Sequence, residues 1–354
     1  MGAPNGGSAV LFFKPETDWG DGASMTNASS TYRMYFDSFT PQNDRTPTDF
    51  KEIQGGAAAV DHTEFVEGGI EVGASVVYTQ RYAGMHALLN GLCLGALDMT
   101  PSTSHNATLA DDLPYIAVGW NPPTLWGGAT ALDDHRFTGM MVQSCTWSHR
   151  AGEPLKHTIN FIGKDHSYDV SPLSTGSMAV PAEDIVQWHD KEIDSGSDTG
   201  IEVEVQGSAP VEINCTDWEL TLDNALVRRF IIQNGRVTAQ PARDGKRTVT
   251  LRMTIDKDNA WRSFQDAMGA SSTSDTTDLD VRLRYEDNAD SDLRWEALVA
   301  NCRVTSAPAT VADDGFLTAS VEMRAHYQSV EQNQELPLTI TISNDDSTDW
   351  GALI

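Results

Sequence analysis

Two stretches of this chain, 177 residues apart, read alike, and the likeness constrains the fold more than any other feature. In the first, Ile70, Val72, Ala74, Val76 and Tyr78 alternate with Glu71, Gly73, Ser75 and Val77. Period-two alternation marks a half-buried strand. From Tyr82 to Leu94 the spacing changes. Met85, Leu88, Leu89 and Leu92 recur at helical intervals, and Gly95 stands where a C-terminal cap belongs. In the second stretch, Val249, Leu251, Met253 and Ile255 alternate with Thr248, Thr250, Arg252 and Thr254. Asp258 or Asn259 can cap a helix whose apolar stripe is Ala260, Trp261, Phe264, Ala267 and Met268, ended by Gly269. The turn glycines Gly68 and Gly245 are 177 apart (245 − 68), and the helix-ending Gly95 and Gly269 are 174 apart (269 − 95).

The segments after the two helices also match. Val142-Gln-Ser-Cys145 resembles Val299-Ala-Asn-Cys302, and each leads through a turn into a further strand, at 157–162 and at 316–327. The shared order of strand, helix, loop and hairpin points to an internal duplication. The expected layout is an N-terminal repeat at 1–166, a linker or surface loop at 167–200 and a C-terminal repeat at 201–354. The first repeat carries an N-terminal arm, 1–35, and an insertion of about 98–136, rich in Pro, Thr, Ser and Asp and read as a long functional or mobile loop. A short structured piece is expected at 182–188, and an edge strand at 336–342.

The chain has 354 residues and a formal net charge of -27, so its surface repels phosphates and tight nucleic-acid binding is not expected. Asp outnumbers Glu two to one and Arg outnumbers Lys, a pattern of adaptation to high salt. The Debye length falls to ~3 Å at 1 M salt, where dense surface carboxylates are tolerated; an ordinary acidic protein is the other reading. No run of about 18 apolar residues predicts a membrane helix, and the first residues lack the pattern of a secretory signal. The cysteines, Cys93, Cys145, Cys215 and Cys302, form no C-x-x-C pair and read as small buried hydrophobes rather than zinc ligands.

No catalytic signature is present: no phosphate-binding Gly-rich loop, no His-Glu-x-x-His pair, no Gly-x-Ser-x-Gly elbow. Asp133-Asp134-His135 and His189-Asp190 are adjacent in sequence, and neighbours on a strand point to opposite faces, so these read as solvated loops. Trp147, Trp218 and Trp261 lie in periodic segments and read as core. Trp19, Trp120, Trp126, Trp188 and Trp350 lie in apparent loops, where aromatics favour protein interfaces.

Several short motifs, in order, resemble the tail tube proteins of siphovirus-like phages and archaeal tailed viruses. They are Leu11-Phe-Phe-Lys-Pro-Glu-Thr-Asp-Trp-Gly20, Tyr35-Phe-Asp-Ser-Phe-Thr40, Phe137 to Ser148 with Gly152-Glu-Pro154, and Ile213 to the Asp223-Asn224 pair. The resemblance implies a mainly β fold with minor α content: two tandem β-sandwich or partial-barrel domains, each with one packed helix. It also implies a structural virion protein rather than an enzyme, with no cofactor and no metal, assembled in the host cytoplasm and located in the virion tail. Sheets of neighbouring units would join into a ring barrel, which removes open edges. Two domains per chain then suggest trimeric, pseudo-sixfold rings, stacked head to tail. The implied partners are further copies, the tape-measure, terminator and distal tail proteins, and viral duplex DNA passing without tight binding; no membrane is implied.

For ring stacking, the arm and the loop at 38–54 supply Leu11, Phe12, Phe13, Trp19, Phe39 and Phe50, apolar residues that a lone domain would not be expected to bury. A flexible terminus and an ordinary loop are the plain alternative. For the channel, the polar strand faces supply Glu71, Thr250, Arg252, Asp280, Arg282, Glu322 and Arg324. That lining is expected to be net negative, although the arginines also suit ion pairs between subunits. Two other readings stay open: a distal tail, decoration or receptor-binding protein, and a secreted acidic carbohydrate-binding or hydrolytic β-sandwich.

Overall fold

The structure is a computed structural model. It describes residues 10–21, 31–52, 62–99, 103–121, 134–169, 184–187, 201–205, 210–232, 235–256, 259–268, 278–287, 290, 292–310, 318–326, 336–346 and 351; at some strand and helix positions, 46–52 and 62–67 among them, only the backbone is described. The first half contains β1 (Val10–Pro15), β2 (Tyr32–Met34), β3 (Ser38–Glu52), β4 (His62–Thr79), α1 (Gly84–Leu94), β5 (Gly95–Met99), β6 (Ser104–Leu109), β7 (Ile116–Asn121), β8 (Asp134–Arg150), β9 (Lys156–Gly163) and β10 (Asp165–Asp169). The second contains β11 (Ile201–Val205), β12 (Val211–Glu212), β13 (Cys215–Asp223), β14 (Leu226–Arg229), β15 (Ala239–Arg243), β16 (Thr248–Asp256), α2 (Asn259–Ala267), β17 (Leu279–Glu286), β18 (Arg294–Ser306), β19 (Ala309–Thr310), β20 (Thr318–Ala325) and β21 (Leu338–Ser343).

The alternating segments form strands as their period requires. In β16 every second residue, Val249, Leu251, Met253 and Ile255, is buried. Gly95 ends α1 at φ +113°, its N–H bonded to the Gly91 carbonyl, a conformation that a Cβ would strain. The two helices differ. All eleven residues of α1 are buried, because β5, β6, β8 and β21 enclose it. In α2, Phe264 and Ala267 are buried, Asp266 faces solvent, and the helix touches β18.

Eight antiparallel strands run side by side in the order β3-β4-β9-β8-β13-β16-β20-β18. Two of them, β8 and β18, are long enough to serve two layers. The second part of β8 pairs with β9, while its first part pairs with β7 and β10, and β7 continues to β1 and β2. Likewise the end of β18 pairs with β20, while its first part pairs with β17 and β21, and β17 continues to β11 and β12. The layers close over a core that includes Trp147, Trp218, Trp295, Phe161 and Leu251.

Two sequence readings change. Part of the stretch read as a loop at 98–136 is strand: β6 pairs with β5 and β21, and β7 lies between β1 and β8. The C-terminal strand is no edge, since β21 has β18 on one side and β6 on the other. Its alternation reports which face is buried, and cannot report how many neighbours the backbone has. Most of 167–200 lies outside the described residues. Within it, β10 continues the sheet to residue 169, Ile185 bridges Arg81, and Val186 is buried.

Candidate assembly interface

The outward face of the eight-stranded sheet is polar because each strand alternates. Its residues form rows across the strands. One row reads Lys156, Ser148, Glu219, Arg252, Glu322; the next reads Thr158, Thr146, Thr221, Thr250, Arg324, Arg303. Arg252 lies between two opposed carboxylates, with its Nε 3.2 Å from Glu322 Oε2. From β9 to β18 this face carries Arg150, Lys156, Arg252, Arg303 and Arg324 against Asp217, Glu219, Asp223, Asp256 and Glu322. Five cations face five carboxylates on these strands, and Asp44 and Glu71 add two carboxylates where β3 and β4 continue the face.

The middle of the sheet is a joint between the two halves, where β8 pairs with β13 from Ser144↔Asp223 to Arg150↔Asp217. Beneath it lies a polar chain. Trp218 Nε1–H donates to Tyr285 Oη at 2.7 Å, and Tyr285 Oη lies 2.6 Å from His149 Nδ1. His149 Nε2 lies 2.9 Å from the Glu153 carbonyl, which fits a neutral ring that donates there. Burial lowers the His149 pKa to about 4, partly opposed by the bond to Glu153, and burial raises the Tyr285 phenol. Asn224 closes the end of the joint. Its Nδ2 donates to the carbonyls of Cys93 and Val142, both at 3.0 Å.

Two backbone edges are left over. Among the described residues, β3 pairs with β4 alone, and residues 303–306 of β18 have β20 on one side and no described strand on the other. The outer edge of β18 here is the one β13 covers on β8, since β13 lies on the β7 side of β8, opposite β9.

The residues expected from sequence are distributed over several places. Thr250, Arg252, Glu322 and Arg324 share the balanced face. Glu71 sits toward the other end of it, on β4, 3.6 Å from Arg228 Nη1. Asp280 and Arg282 belong to the second layer. Asp280 accepts the Asn301 N–H at 2.7 Å, and Arg282 lies between Glu202 (3.8 Å) and Glu296 (3.4 Å). Leu11, Phe12 and Phe13 are at most 2% exposed in β1, so the premise that a lone chain would leave them uncovered fails for these three. Trp19 donates its Nε1–H to the Gly139 carbonyl under Lys164, and Phe39 packs on Trp120 and Phe137. Phe50 is in β3, with its side chain outside the described part.

An exposed apolar cluster went unread in the sequence. Phe230, Ile231 and Ile232, just after β14, are 46%, 37% and 100% exposed. The Phe230 ring lies over Gly69, where a Cβ would meet it at 2.4 Å. A run of three apolar residues beside Gln233-Asn234-Gly235 was the available signal, and it reads equally well as buried strand.

One cluster in the core has metal-ligand chemistry. Cys93 on α1, Cys145 on β8 and His157 on β9 are all buried, with one ligand atom from each within 4.8 Å of the others. His157 Nδ1 meets Tyr78 Oη at 2.5 Å, and its ring stacks on Trp147. Burial raises the Cys145 thiol, Cys93 adding to the effect, and lowers His157. His86, on α1, is lowered to about 3 by burial and then by Arg81.

Compared with curated proteins, the chain finds no match. Compared with family models, residues 6–325 match that of the phage tail tube protein. The match spans nearly the whole chain, including both strand-helix units, the joint and the balanced face. The chain belongs to the phage tail tube protein family, a family of structural proteins of the virion tail.

Proposed function

We infer that three copies of this chain close into a ring, that rings stack into the tail tube, and that the balanced face lines the channel through which viral DNA leaves. The supporting observation is the joint between β8 and β13. Both halves repeat one pairing scheme, with β4, β9, β8, β7 and β10 answering to β16, β20, β18, β17 and β21. A chain of two such modules holds one joint internally and is left with the edges for a second: residues 303–306 of one copy and the start of β3 of the next. This is a head-to-tail contact, and it closes when the rotation per module divides the circle. Three copies make six modules and 24 strands (3 × 8). At ~4.8 Å between strands and a tilt of ~40°, the backbone cylinder is about 50 Å across, which leaves room for duplex DNA inside the side chains.

A channel whose Arg252 faces Glu322 and whose Arg303 faces Asp278 offers phosphates less counterion release, so DNA slides rather than binds. Phe230, Ile231 and Ile232 reach the adjacent ring as an apolar contact. Tape-measure, terminator and distal tail proteins meet the inside and the ends of the tube. The acid-rich remainder suits a siphovirus assembled in a host with salt-rich cytoplasm.

Imaging of purified assemblies by electron cryomicroscopy tests this. The expected result is a tube of rings with three chains each and pseudo-sixfold density. Six chains per ring, or a β18 edge facing anything but β3 of the next copy, sinks the proposal. Ile232→Asp is expected to leave rings intact while shortening the tubes; tubes of unchanged length would remove the apolar tip from the stacking contact.

A further inference from the structure

We propose that Cys93, Cys145 and His157 bind a zinc ion inside the first half of the chain. The three come from α1, β8 and β9, and Cys93 Sγ stands 3.9 Å from His157 Nε2. Zinc bonds of ~2.3 Å to sulfur and ~2.0 Å to nitrogen place tetrahedral ligand atoms about 3.5–3.8 Å apart. The cluster, within 4.8 Å throughout, needs a contraction of about 1.3 Å at most to reach that geometry.

Its surroundings are those of a ligand set. Tyr78 Oη occupies His157 Nδ1 and leaves Nε2 toward Cys93, the outer-shell arrangement that orients a metal-binding imidazole. Trp147 stacks on that ring at 4.4 Å and is itself held by Asn90, which accepts its Nε1–H at 3.2 Å. Three protein ligands leave the fourth tetrahedral position to a water.

Charge selects the metal. Cys93 and Cys145 are wholly buried, where a net charge is costly. Zinc(II) with two thiolates and a neutral imidazole sums to zero, whereas copper(I) leaves one negative charge. Hard cations such as magnesium prefer oxygen ligands. Binding expels both thiol protons, so the metal stabilises the folded chain and the site titrates with it.

The second half shows that the fold does not require this chemistry. Tyr78, His157 and Trp147 lie abreast on β4, β9 and β8. On β16, β20 and β18, the strands that answer to these, Leu251, Met323 and Val304 lie abreast, with Cys302 two residues before Val304. An ordinary apolar interior fills those positions, so the polar set in the first half has a separate purpose.

The test is the metal content of the full-length protein, produced in zinc-containing medium and purified without chelators, read by plasma mass spectrometry. The expected content is one zinc per chain in the unaltered protein and in Cys215→Ser, whose thiol lies outside the cluster. Cys93→Ser and Cys145→Ser are expected to fall below a tenth of that. Protein produced with cobalt should show a thiolate-to-metal charge-transfer band that Cys145→Ser abolishes. Should the serine variants fail to fold, the zinc content and cobalt spectrum of the unaltered protein decide alone. Folded protein without metal from either medium, a Cys93–Cys145 disulfide in the folded protein, or zinc retained by Cys145→Ser would each overturn the proposal.

Discussion

The triplet Tyr78–His157–Trp147 crosses β4, β9 and β8, and the triplet Leu251–Met323–Val304 crosses β16, β20 and β18, strands paired in the same order, yet the two share no residue type. The second shows what the architecture needs there, which is apolar volume against a helix. The first carries buried polar groups with partners beside them, Tyr78 for His157 and Asn90 for Trp147, and nearby on α1 the Arg81 N–H bonds His86 Nδ1. The helices follow the difference. The enclosed α1 carries His86 and Asn90, each bonded through one atom, while α2 keeps solvent on one side. A shared strand order therefore constrains burial and leaves chemistry free to diverge.

The largest test of this contrast is truncation. Trp147→Ala should lower stability by about 3–5 kcal/mol, and Val304→Ala by roughly 1–2 kcal/mol, on chemical denaturation of the unassembled chain. Equal losses would mean that the first-half core is no more demanding than the second. Next in size is acid. His149 and His86 have folded pKa values of about 4 and about 3, below the usual 6.5, so both are neutral when buried. Their contribution is complete above pH 6.5 and is lost as pH falls toward 4 and then 3, because the unfolded chain takes up the protons first. For His149 the loss is on the order of 3 kcal/mol. Hydrogen exchange at pH 7 and pH 4.5 should therefore show β4, β8 and β9 loosening more than β16, β18 and β20. Uniform loosening would remove the asymmetry. The smallest effect belongs to the exposed face. Arg252→Ala breaks a solvent-exposed pair and should cost under about 1 kcal/mol in the unassembled chain. A loss of several kcal/mol on thermal denaturation would show that the row Glu219–Arg252–Glu322 stabilises the sheet itself.

Much of the secondary structure was legible. Alternation located β4, β16 and β20, helical spacing located α1 and α2, and Gly95 announced its cap. Five of the seven channel candidates share one face, since parity along a strand is a local property. The stacking candidates fared differently. Leu11, Phe12 and Phe13 are continuously apolar, and such a run is equally compatible with a strand buried on both sides, which β1 is. The cluster at Phe230 to Ile232 had the same ambiguity and the opposite outcome.

By itself, the order of residues determined where backbone would be extended or helical and which side chains would turn inward, because both follow from periods of two and 3.6 along the chain. Only the tertiary structure decided which strands are neighbours. Pairing across a sheet joins residues that no local period connects: Cys93 and His157 are 64 positions apart, and His149 and Tyr285 are 136. The joint, the balanced face and the buried cysteine–histidine cluster all exist at that level, where contact is set by register between distant strands.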